Sequence, residues 1–119
     1  MSTIINRRDL DFLMYETLGV DAILASERYQ DYDREAITAI LDLAQSVAED
    51  QFQPFAGHLD ENEPKYVDGK VEIIPEVKQA LAAYRDAGLF LTGYDQDLGG
   101  MQLPWVVHQA LNGMFVTAN

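Results

Sequence analysis

The chain has 119 residues, one domain's worth, with 48% hydrophobic residues, 20 acidic and 8 basic ones, and a formal net charge of −12. That charge argues against nucleic acid and against an anionic membrane surface, because a polyanion is repelled and no basic patch exists to release counterions. The absence of cysteine removes disulfides, thiolate nucleophiles and Cys–zinc sites, and it fits a reducing, cytoplasmic setting.

The opening segment, MSTIINRRDLDF, has no apolar core of signal-peptide length, and no apolar run reaches the roughly 18 residues of a membrane helix. The spacing predicts a first helix over Arg8–Leu18, with Leu10, Leu13, Met14, Thr17 and Leu18 on one face and Gly19 as its C-terminal cap. A short second helix is expected in VDAILASERY, capped by Asp21. The clearest helix runs from Asp33, a good N-cap residue, to about Phe52. Its stripe is Ile37, Ile40, Leu41, Ala44, Val47, Ala48 and Gln51, and Pro54 is expected to end it. PFAGHLDENEP reads as a polar connection. Asp68-Gly69 is a two-residue turn signal, so KYVDGKVEII is expected to form a small exposed hairpin. Pro75 opens the next helix, with Val77, Ala80, Leu81 and Tyr84 buried and Gly88 closing it.

LFLTGYDQDLGG reads as a loop in which Gly99 and Gly100 allow backbone angles or a close approach that other residues resist. Pro104 then starts a last helix, with Val107, Ala110, Leu111, Met114 and Ala118 on one side and Trp105, Val106 and Phe115 on the other. From Leu98 to Asn119 there is no Asp, Glu, Lys or Arg. A helix apolar nearly all round belongs inside a larger structure. The chain is therefore expected to be one part of a longer protein, and to be marginally stable alone or to dimerise through this helix. The fold class expected is all-α, a small domain of about five helices with a minor β-hairpin near Asp68-Gly69.

Few residues carry chemistry. His58 lies beside Asp60, Glu61 and Glu63, but Pro64 and Lys65 fall where a calcium loop counted from Asp60 needs a ligand and its turn glycine. His108 sits on an apolar helix and reads as an interior histidine. Ser26 and Ser46 stand in no nucleophile-elbow context. Gly99-Gly100 is followed by no Lys-Ser/Thr and is preceded by no strand, so it is not a phosphate loop. No metal ligands, catalytic residues or cofactor contacts are assigned.

Three segments in order, DLDFLMYETLGV, DENEPKYVDGKVEIIPEVKQAL and AGLFLTGYDQDLGGMQLP, resemble the N-terminal part of flavin-dependent acyl-CoA dehydrogenases. The resemblance is closest to the bacterial subgroup with an extra N-terminal helical arm, the methylmercaptopropionyl-CoA dehydrogenase-like enzymes. It covers essentially the whole chain. Where many members carry a Pro-Glu-Glu-Tyr-Gly-Gly-like loop, this chain has YDQDLGG, with the glycines but without the proline. The resemblance implies an arm over residues 1–30 and, over 31–119, an N-terminal helical domain incomplete at its C-terminal end. It implies an FAD enzyme in the complete chain, in which a glutamate of the C-terminal domain takes the α-proton of an acyl-CoA and hydride passes to the flavin. An electron-transfer flavoprotein would receive the electrons, and a homo-oligomer is expected. It also implies that this segment helps wall the acyl pocket and is inactive alone, with Phe115 and Asn119 nearest the substrate. The alternative is a stand-alone acidic helical module that binds a protein partner through the 104–118 helix.

Overall fold

The computed structural model describes all 119 residues, and the fold is all-α with one small hairpin, as expected. The centre is a pair of helices, α3 (Arg34–Val47) and α6 (Trp105–Ala118). Ile37, Leu41, Ala44 and Ala48 on one side and Val107, Leu111, Met114 and Ala118 on the other belong to a single buried cluster. The α6 stripe reads correctly from sequence, with Ala110 half-buried at its margin. Ile4, Met14, Val20 and Leu24 join the same cluster, so the first thirty residues contribute to this core.

The first helix departs from expectation. Helix α1 (Arg7–Asp11) passes into a π-turn over Phe12–Thr17, where hydrogen bonds from i to i+5 widen each turn. The Leu18 amide accordingly donates to the Leu13 carbonyl at 2.9 Å. A face drawn at 3.6 residues per turn is then wrong. Met14 is buried and Leu10 half-buried, whereas Leu13, Thr17 and Leu18 are exposed. Gly19 does close the segment, at φ +65°. Asp21 is not the cap of α2 (Val20–Leu24) but lies in its first turn. Its carboxylate pairs with Arg34, whose guanidinium rests 3.9 Å from the centre of the Tyr15 ring.

Asp33 caps α3 as expected, accepting from the Ala36 amide at 2.7 Å. A second π-turn, Ala48–Phe52, extends α3 and turns Gln51 outward, off the stripe in which it was expected. Nor does Pro54 stop the chain's helical path. It sits in a 3-10 turn, Gln53–Phe55, where its missing N–H costs nothing. The supposed polar connection then forms α4 (Ala56–Glu61).

Strands β1 (Lys65–Val67) and β2 (Lys70–Glu72) pair antiparallel, with Lys65 opposite Glu72, Tyr66 opposite Val71 and Val67 opposite Lys70. Asp68 and Gly69 both have positive φ, 49° and 80°, which is the type I′ turn that an Asp-Gly pair favours. Both faces of the hairpin are exposed. Helix α5 (Pro75–Asp86) is only loosely seated: Ala80 is buried, Val77 and Tyr84 are half-buried, and Leu81, expected inside, is exposed.

Candidate functional site

The segment from Leu89 to Leu103 is a folded loop with two 3-10 turns, Leu89–Leu91 and Gln96–Leu98. It closes on itself through its backbone. Met101 N donates to Leu91 O at 3.0 Å, Gln102 N to Tyr94 O at 2.8 Å, and Leu103 N to Thr92 O at 2.9 Å. The two glycines play different parts. Gly99 has φ +82°, a left-handed conformation that a side chain resists. A Cβ on Gly100 would stand 2.1 Å from the Tyr94 carbonyl oxygen, so the return strand passes too close for any side chain.

Gln102, which the sequence reading did not single out, is the loop's clasp. Its backbone is left-handed at φ +54°. Its side-chain oxygen accepts from Gln96 N at 3.2 Å, and its amide donates to Arg28 O at 3.0 Å. Arg28 in turn pairs with Asp95, and the Tyr32 hydroxyl donates to Met101 O. The loop is thus anchored to the segment that precedes α3.

His108 joins the loop to α6. Thr92 Oγ1, fully buried, lies 2.7 Å from His108 Nδ1, and Asn112 Nδ2 lies 3.1 Å from Nε2. With the Asn112 amide donating to Nε2, Nδ1 carries the ring proton and donates to Thr92. Both ring nitrogens are therefore engaged, which leaves none for a substrate or a metal. The Trp105 ring stacks on the imidazole, with centroids 4.7 Å apart.

Phe115 and Asn119 both meet Phe52. The Phe115 ring packs edge-on against Phe52 at 5.0 Å and Tyr84 at 4.8 Å. Asn119 Nδ2 donates to Phe52 O at 2.9 Å. Tyr84 continues the array to Phe90 at 5.1 Å, and burial raises the Tyr84 phenol above its ordinary pKa. Phe115 is half-buried and Asn119 is exposed. No carboxylate, hydroxyl or imidazole converges with them into a reactive group.

Elsewhere, His58 Nδ1 lies 3.3 Å from Glu76 Oε1, and no group of three or more His, Cys, Asp or Glu side chains gathers for a metal. An apolar groove of about 610 Å³ runs along α5; its lining includes Ile73, Val77, Leu81 and Phe90 and carries Lys78 and Arg85. Near the glycine pair, the Gly99 amide is spent on Gln96 O and the Gly100 amide on Asp95 O, so no backbone donors are left there for a pyrophosphate.

No protein-family model matches the chain. Among curated proteins it is similar to the broad-specificity linear acyl-CoA dehydrogenase FadE5 of Mycobacterium tuberculosis. The two are 31% identical over 115 residues, which covers 91% of this chain and 19% of that protein. The chain therefore spans about a fifth of the length of the curated relative it matches. The similarity points to acyl-CoA dehydrogenases and singles out no subgroup among them.

Proposed function

We propose that these residues form the amino-terminal helical domain of a longer FAD-dependent acyl-CoA dehydrogenase, which desaturates an acyl-CoA thioester between its α and β carbons. The observation that carries this reading is the extent of the similarity. It runs through nearly the whole chain at 31% identity while occupying only 19% of the relative, and the resembling segments keep their order. The methylmercaptopropionyl-CoA dehydrogenase-like subgroup, with residues 1–30 as its arm, is the closest fit to the motifs.

In such an enzyme the flavin supplies the hydride acceptor and a glutamate elsewhere supplies the base, so this chain is inactive alone. Its own task is to shape and dry the acyl pocket. The Phe52–Tyr84–Phe115 array offers a rigid apolar wall, and the bond from Asn119 to Phe52 O pins the end of α6 against it. Phe115 and Asn119 are the residues assigned to the pocket. The electrons pass to an electron-transfer flavoprotein, and the enzyme is a cytoplasmic homo-oligomer. A stand-alone interaction module is the second reading, favoured by the exposure of Trp105 (65%) and Val116 (81%) on α6.

The source gene beyond the codon for Asn119 tests this directly. Continuation of the frame into flavin-contact segments and a late glutamate is expected. A stop codon there sinks the enzyme reading and leaves the interaction module. In the longer enzyme, Phe115→Leu should shift kcat/KM between short and long acyl chains. An unchanged chain-length profile removes Phe115 from the pocket.

A further inference from the structure

We propose that His108 and Asn112 form a proton-operated amide switch. When the His108 ring takes up a second proton, the Asn112 carboxamide turns over, and its outward group changes from hydrogen-bond acceptor to donor. The inference goes beyond the acyl-CoA reading and does not depend on it.

The switch follows from the donors and acceptors around one ring. Nδ1 faces Thr92 Oγ1 at 2.7 Å, and Nε2 faces Asn112 Nδ2 at 3.1 Å. A hydroxyl oxygen can accept from Nδ1–H, whereas the NH2 of a carboxamide can only donate. This arrangement suits a neutral ring with its lone pair on Nε2. An imidazolium carries an N–H at both nitrogens, so a proton from solvent at Nε2 would point at another donor. Thr92 needs no change, because its oxygen goes on accepting. Asn112 holds the remedy itself, since its Oδ1 has no partner within the chain and reaches solvent. A half-turn about Cβ–Cγ brings that oxygen to Nε2–H and sends the NH2 outward.

No fixed charge competes for the ring. Helix α6 contains no Asp, Glu, Lys or Arg. In the loop, Asp95 is held by Arg28, and Tyr94 and Asp97 are exposed. On the α3 side, Arg34, Glu35 and Asp42 are exposed, while Glu49 and Asp50 of the following π-turn take up Gln45 and Ser46. The neighbours in contact are neutral: Thr92 and Gly93 of the loop, and Trp105 and Asn112 of α6. His108 is half-buried, so solvent protons reach it. His108, Asn112, Phe115 and Asn119 follow one another at helical spacings, and so share one flank of α6. That flank presents an amide oxygen one turn ahead of Phe115 while the ring is neutral, and an amide NH2 once it is charged.

A pH titration of the 15N-labelled 119-residue chain tests the switch, over the range of about pH 5–8 in which an imidazole ordinarily titrates. Ring correlations should show a protonated Nδ1 and a bare Nε2 at the alkaline end, and two protonated nitrogens at the acid end. Across the same step the Asn112 side-chain amide protons should lose their protection from exchange. Trp105, stacked on the ring, should dim as the imidazole becomes charged. Asn112→Asp supplies a permanent acceptor and a negative charge, and should move the midpoint up by about one pH unit or more. His58→Gln, which removes the other histidine, should leave the step unchanged. A neutral ring with its proton on Nε2 would overturn the proposal, because Asn112 would then already present its oxygen. So would amide protection that persists through the step, or a midpoint indifferent to Asn112→Asp.

Discussion

Gly100 and Gln102 sit two residues apart and differ in how far a sequence can announce them. The Gly99-Gly100 pair is readable as a backbone requirement, because only glycine combines free φ with no Cβ. What it must avoid is not readable, since the Tyr94 carbonyl arrives only when the loop closes. Gln102 gives no signal at all. Glutamine in the left-handed region is held there by Tyr94 and Gln96 of its own loop and by Arg28 ahead of α3, and no local pattern encodes them. The Phe115–Phe52–Tyr84 contact is hidden for the same reason, although each aromatic is visible singly. Gly100→Ala should destabilise the chain by about 1–3 kcal/mol, the usual cost of forcing atoms into a filled site, with loss of the loop's amide protection in hydrogen exchange. An alanine variant of wild-type stability would mean that the Tyr94 carbonyl moves aside freely. Burial also raises the Tyr15, Tyr32 and Tyr84 phenols above their ordinary value. A phenol raised on folding holds its proton more tightly in the native state. Its contribution to stability is full below the unfolded pKa of about 10 and is lost as pH rises through the folded value. Denaturation midpoints should therefore fall on the alkaline side of pH 10, and Tyr84→Phe should blunt that fall. A fall of the same size in the variant would remove Tyr84 from the account.

At the scale of elements, periodicity finds every long helix and misplaces what a change of helical period displaces. The α6 stripe is right because α6 is α-helical throughout. The α1 stripe and the position of Gln51 are wrong because π-turns follow α1 and α3. Neither Phe12–Thr17 nor Ala48–Phe52 contains the proline or glycine that would flag a break. Pro54 misleads in the opposite sense, since a 3-10 turn accepts it and the chain resumes as α4. The Asp68-Gly69 hairpin is readable because its turn chemistry is local. These differences separate two leucine-sized neighbours. Met14→Ala should cost about 2–5 kcal/mol, as core truncations do, whereas Leu13→Ala should stay within about 0.5 kcal/mol in a monomer, as at an exposed site. Urea denaturation of both variants checks the pair, and equal losses would restore the simple α-helical face.

The whole molecule is a slab, 53 × 36 × 19 Å, with a radius of gyration of 16.4 Å, whereas a compact chain of this length has about 13.5 Å. Its surface is 7776 Å², against about 6,500 Å² for a monomer of this mass. A thickness of 19 Å is two helices deep, so almost every helix shows one side to solvent and only 17 of 119 residues are buried. The uncharged run from Leu98 to Asn119 anticipates part of this. A charge on α6 would lose hydration against any covering surface. The sequence does not reveal that α5 and the α1 segment are uncovered too, because their stripes look like ordinary core faces. Covering these faces, whether by the further domains proposed above or by a partner, should raise the thermal midpoint by several degrees, as a gain of about 1 kcal/mol does at this size. An unchanged midpoint would mean that the slab is self-sufficient.

Trp105 is the single tryptophan of the chain, and its ring lies against His108 at the point where the loop meets α6. The chain therefore carries its one indole fluorophore at this junction, and selective excitation separates it from the six tyrosines. Its emission follows the seating of the loop, while far-ultraviolet dichroism follows the helices. In a denaturant titration the two signals should move together if loop and core open as one cooperative unit. If the emission changes first, the loop is a separately opening unit, and the glycine pair belongs to a hinge rather than to the core.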